Sequence, residues 1–173
     1  MSAATRPAGP DTAGRAATRL MRFTVGGATC AFPLDRVGEV VSLSHLPART
    51  PRGWVGALRR DRELVPVADL AFLLGFPAAP GAVRAILFRP GRGGREAGLR
   101  YGVTTDDVPT VALAGPVAPA PLPPAAGPTA RALVAGVLVD GAGLTLVLNA
   151  GAVVAALQPG LGRDASGAVR ELR

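Results

Sequence analysis

The sequence predicts an all-β fold built from two small barrels. Three observations carry that prediction. Short apolar segments recur between Gly and Pro turns, helical periodicity is brief, and the strand groups fall on either side of a break, PAAPGA, at residues 77–82. So many short strands would leave open edges, and barrel closure manages them. With 173 residues, the chain is long enough for two small subdomains that share a core.

Each element follows from local pattern. Residues 1–18 lack periodicity and predict a flexible tail. Residues 19–25 and 28–34 are apolar segments around Gly26-Gly27, which predicts a β-hairpin. Residues 35–43 open with a tight corner and continue as a strand through Val40, Val41 and Leu43. A loop over 44–53 leads to a strand pair at 54–60 and 63–70. The pair is joined by five consecutive charges: Arg59, Arg60, Asp61, Arg62 and Glu63. Pro66 has no amide donor, so its strand is expected to be an edge or to carry a bulge. Leu70, Leu73 and Leu74 have helical spacing, closed by Gly75 and Pro77. Strands are predicted at 83–90 and 99–108 around a loop at 91–98, and a short one at 109–115. Residues 116–130 are a proline-rich connection, and 131–140 with 144–149 predict a second strong hairpin. Residues 150–157 predict a closing helix, and 159–173 a second flexible tail.

Composition excludes several function classes. No apolar run approaches the roughly 18 residues that cross a bilayer, and the N-terminus has no apolar signal region, so the expected location is cytoplasmic. The formal charge is +7, and every basic residue is Arg. The charge is spread along the chain, the tails carry part of it, and no aromatic residues interleave with Arg to stack bases. No nucleic-acid partner is therefore expected, although a basic β-barrel that binds nucleic acid stays as the alternative from a different class. Cys30 is the sole cysteine, which excludes an intramolecular disulfide and a cysteine zinc site; its apolar setting predicts a buried thiol. His45 is the sole histidine and sits in a Ser/Pro loop. The glycine-rich residues 91–96 lack the Lys-Ser/Thr ending of a phosphate loop. Asp106 and Asp107 are adjacent, and on a strand they would face opposite sides. The motifs PVAP (116–119) and PLPP (121–124) match PxxP spacing, but in a proline-biased chain they predict an internal connection. No catalytic residue, cofactor or metal site is expected. A stable β-scaffold without reaction chemistry points to an interaction module rather than an enzyme.

The order of five segments resembles the CheW family, the coupling proteins of bacterial chemosensory arrays, over residues 19 to 157. FTVGGATCAFPLDRVGEVV (23–41) resembles its opening hairpin and Val-x-Glu-Val/Ile corner, here Val37, Glu39 and Val40. LPARTPRGWVGAL (46–58) resembles its loop and Gly-containing strand. LVPVADLAFLLG (64–75) resembles its Val-Pro-Val-x-Asp-Leu…Leu-Gly segment, with Pro66, Asp69, Leu70 and Gly75 in register. YGVTTDDV (101–108) matches at Gly102, Asp106 and Val108, and GVLVDGAGLTLVLNAGAVV (136–154) resembles the final hairpin and helix, with Asn149 in place of Asp.

The resemblance implies two packed, five-stranded SH3-like barrels over residues 19–158. It also implies a non-catalytic adaptor that couples the cytoplasmic tip of a chemoreceptor to the regulatory domain of a CheA-type histidine kinase. Such a protein has no cofactor and meets the membrane only through receptors, to whose arrays it is recruited. Val37, Glu39 and Val40 match the corner that lines the family's inter-barrel groove, with Phe32 and Leu34 nearby. Val37 is then either an apolar receptor contact or a core residue, and Glu39 a polar rim residue. Kinase contacts are implied for the turn within 56–66 and for part of 83–103. One segment departs from the family. Where Asn-Leu-Arg-Gly is usual, Arg60 falls at the Leu position, Asp61 at the Arg and Arg62 at the Gly. Arg62 there is expected to cost about 1 kcal/mol if the turn needs a positive φ. A one-residue shift in register would instead put Arg60 or Arg62 in the arginine's role. The departure opens a further alternative, a CheW-like scaffold that keeps only one of the two partners.

Overall fold

The computed structural model describes residues 18–44, 53–77, 84–89, 100–114, 119–123, 126–141, 143–164 and 171–172. His45 and the glycine-rich residues 91–96 lie outside them. The strands are β1 (Thr18–Val25), β2 (Ala28–Pro33), β3 (Val37–Ser42), β4 (Trp54–Arg60), β5 (Glu63–Ala68), β6 (Arg84–Phe88), β7 (Gly102–Thr105), β8 (Thr110–Ala114), β9 (Val134–Asp140), β10 (Gly143–Leu148) and β11 (Glu171–Leu172). The helices are α1 (Leu70–Leu74), α2 (Pro128–Leu133) and α3 (Ala150–Asp164), with a 3-10 turn at Leu34–Arg36.

Two-residue turns close the hairpins. Gly26 and Gly27 both take positive φ, at 57° and 81°, and join β1 to β2 with Val25 opposite Ala28. Asp61 and Arg62 do the same for β4 and β5, at φ 47° and 72°, with Arg60 opposite Glu63. Positive φ at both central residues is the mark of the type I′ turn, whose twist matches the flanking strands.

The strands form two sheets that pack as SH3-like barrels. The first has the order β8-β1-β2-β10-β9; the second has the order β11-β4-β5-β7-β6-β3. The first barrel therefore takes strands from both ends of the chain, and the second takes β3 through β7 as one run. Strands on both sides of residues 77–82 belong to the same sheet, so the sheets do not divide at that break as chain order suggested. The second sheet exceeds the expected five strands because β11 pairs in parallel with Ala57 and Leu58 of β4. The C-terminal region expected to be a tail also carries α3 as far as Asp164. Helix α2 lies within the stretch taken for a proline-rich connection and the start of a strand, with Pro128 in its first turn.

Alternation assigns each sheet face to a cluster. Leu43, Val55, Leu58, Val65, Val67, Ala85 and Leu87 fill the second sheet's own core. Leu20, Ala31, Leu138 and Val147 do so for the first. The opposite faces meet in a larger cluster between the barrels, to which α1, α2 and α3 also contribute. At its centre Phe32 stacks on Phe23 at 5.3 Å and meets Phe88 edge-on at 4.9 Å, so one aromatic row joins the two sheets. Cys30 is fully buried in this cluster, and burial, with a smaller push from Asp106, raises its thiol to about 12.

Pro66 corrects one expectation. β5 lies between β4 and β7 rather than at the edge. However, β7 pairs only with Val67 and Ala68, so Pro66 sits just outside that ladder. The bulge falls in the partner strand instead, between Trp54 and Gly56.

Candidate functional site: the seam of the second barrel

The corner segment and the charged turn are far apart in sequence, and the second barrel brings them together. β3 is the last strand at one end of the sheet, and β4 lies near the other end. Closing the barrel places their side chains face to face. Arg60 Nε lies 3.2 Å from Glu39 Oε1 across this seam. By alternation Arg60 shares a sheet face with Leu58, and Glu39 with Val41; both apolar residues belong to the barrel's own core. The ion pair thus sits at the open end of that core.

Local structure sets Glu39 in place. The register of β3 on β6 shifts between Val37 and Glu39, so Gly38 forms a bulge. Arg89 Nε donates to the carbonyl of Val37 at 2.8 Å and holds the bulged backbone. Val37 itself is 4 % exposed and belongs to the inter-barrel core, so of its two sequence readings the structure places it in the core. Val40 is half-buried against the same cluster, and Glu39 is exposed.

The turn carries the rest of the surface. Asp61 is exposed, and its Oδ2 accepts from Arg100 Nη1 at 3.2 Å. Arg62 is exposed, as are Arg59 and Glu63. Leu64, 47 % exposed, adds an apolar residue beside them. The structure therefore joins Glu39, Arg60, Asp61 and Arg62 in one patch and leaves Val37 in the inter-barrel core. Sequence reading gave the region 83–103 and did not single out Arg89 or Arg100 within it. No local signal marks them, because Arg100 is 39 residues from Asp61 and Arg89 is 52 from Val37.

The acids near residue 106 have a structural task. β7 ends at Thr105, and the chain bends, so Asp106 and Asp107 do not alternate as strand residues would. Both carboxylates reach the β1–β2 turn. Asp107 accepts from Thr24 N and Thr24 Oγ1, each at 2.8 Å, and Asp106 accepts from Gly26 N at 2.6 Å. They tie the end of a second-barrel strand to the first barrel's hairpin. Asp69 caps α1 by accepting from Phe72 N at 3.2 Å, and Gly75 ends the helix at φ 74°. Asn149 does the equivalent for α3, accepting from Ala152 N at 3.1 Å. Between the two PxxP motifs Ala120 bridges Val137, while residues 116–118 and 124 lie outside the described residues.

Comparisons with known proteins fit this geometry. The family model described as CheW-like domain matches residues 19–158. A crystal structure of the scaffolding protein TtCheW from Thermoanaerobacter tengcongensis is similar with a TM-score of 0.63 and 20 % identity, over 78 % of this chain and 90 % of its own. No curated protein matches the chain. With its two interlocked sheets and a family match across both, the chain belongs to the CheW-like domain family.

Proposed function

We propose that the chain is a non-catalytic chemosensory adaptor that couples a chemoreceptor tip to the regulatory domain of a CheA-type histidine kinase. The carrying observation is the meeting of Glu39 and Arg60 at 3.2 Å, which makes one surface from the two segments that the family resemblance assigns to partners. Glu39, Val40, Arg60, Asp61 and Arg62 supply its contacts, with Leu64 as an apolar neighbour. An exposed ion pair contributes little stability, so its value here lies in fixing the orientation of a docking surface. The adaptor acts in the cytoplasm and reaches the membrane only through receptor arrays. No helix is long and apolar enough to cross a membrane among the described residues.

Calorimetric titration against an isolated receptor hairpin and against the kinase regulatory domain tests this reading. Arg60→Glu is expected to weaken at least one interaction on the order of tenfold, about 1.4 kcal/mol. The exchange Glu39→Arg with Arg60→Glu restores the pair and should recover part of that loss. Binding of neither partner by the folded protein would refute the proposal. A second reading is favoured by Asp61, which stands where the family resemblance expects arginine and is paired to Arg100. In that reading the protein keeps only one partner. Asp61→Arg would then gain affinity for the partner that the parent protein fails to bind.

A further inference from the structure

We infer that the outer edge of β4 is a strand-addition site whose resident occupant is the chain's own C-terminal segment. This concerns a backbone edge, separate from the side chains of the seam, and does not depend on the adaptor reading. β4 spans Trp54–Arg60, and its inner edge is paired with β5. Among the described residues its outer edge is engaged only at Ala57 and Leu58, by Glu171 and Leu172 in parallel. The opposite end of the sheet, β3, is blunted by the bulge at Gly38 and by the charge of Glu39. β4 carries its bulge near its start, between Trp54 and Gly56, and β11 covers the edge beyond it.

Two properties make this cover exchangeable. A two-residue ladder is too short to be stable by itself, so the tether supplies most of its occupancy. Helix α3 ends at Asp164, and six residues separate it from Glu171. A connection that short gives an effective concentration on the order of millimolar. The site recognises main chain, so it takes an extended segment running parallel to β4 whatever its side chains, provided no proline occupies a donor position. Any partner that adds a strand to the β4–β5 hairpin must displace this resident segment first.

The test uses amide NMR signals of Ala57 and Leu58 in the full chain and in a chain ended after Asp164. Shortening should move these two signals while those of Phe32 and Val103, in the cores, stay in place. A peptide of residues 165–173 added to the shortened chain should return them saturably, with millimolar affinity. If shortening leaves both signals unmoved, or the peptide fails to return them, the inference is wrong. Sedimentation of the full chain separates the cis occupant from a second copy: a monomer supports it, and a dimer lost on shortening overturns it. Should the shortened chain not fold, a spin label at Arg173→Cys on the full chain must broaden Ala57 and Leu58 selectively; uniform broadening overturns the proposal. Cys30 does not compete for that label, being fully buried.

Discussion

Asp61 and Arg62 perform the same backbone task as Gly26 and Gly27, with φ 47° and 72° against 57° and 81°. Glycine does this freely, whereas a side chain in the left-handed region crowds its own carbonyl. Aspartate tolerates the conformation better than most residues, and arginine does not. Arg62→Gly should therefore raise stability by about 1 kcal/mol, seen as a melting temperature higher by about 2–4 °C in a thermal scan. An unchanged or lower value would show that the Arg62 backbone is unstrained. This strain was legible through the family resemblance, which puts Arg62 where glycine is usual. The partner of Arg60 was not legible. Glu39 lies 21 residues upstream and meets it only because a sheet end curls round to close a barrel. Side-chain pairs made by closure leave no periodic trace.

Single elements show which signals the chain writes locally. The Gly75 end of α1 and the Gly26-Gly27 hairpin were both legible, since a C-terminal stop or a turn needs a particular residue at a particular place. Helix α2 was not. It has six residues, and Leu133 and Val134 are both buried, so its end runs into β9 as one apolar stretch. Helix α3 was found, but its length was not, because Pro159 and Gly160 suggested an earlier stop. Its buried residues Ala150, Val153, Val154 and Leu157 keep helical spacing, and Asn149 holds its start. Asn149→Ala should cost about 1 kcal/mol by chemical denaturation. Asn149→Asp should keep the hydrogen bond and add a favourable charge near the helix N-terminus, gaining a few tenths of a kcal/mol. Equal losses for both variants would mean that packing at the site, not the cap, decides.

At the scale of the whole molecule, the joint between barrels combines the Phe23–Phe32–Phe88 row with the two carboxylates on the β1–β2 turn. Burial raises the pKa of Asp106; the Gly26 amide opposes this, and the charges of Asp107 and Asp69 reinforce it. A carboxyl raised in the folded state makes folding less favourable when ionised, and that loss is recovered as pH falls through the raised value. Asp106→Asn removes this burden and keeps an oxygen for the Gly26 amide. Its melting temperature relative to the parent should thus be highest near pH 7 and decline toward pH 4, where a constant difference would contradict the assignment. Asp107→Ala loses two 2.8 Å hydrogen bonds and should cost about 1–3 kcal/mol by chemical denaturation. The joint also has a bearing on how the protein is made. Apart from β11, the second barrel is one continuous run, β3 to β7, and the first barrel's strands come before and after that run. As the chain leaves the ribosome, the run is complete while β1 and β2 still lack β8, β9 and β10. Their apolar faces, with Leu20, Phe23, Ala31 and Phe32, stay open until residue 148 has emerged. The interval between the emergence of β7 and that of β10 is thus the period in which a nascent chain most needs protection from its neighbours.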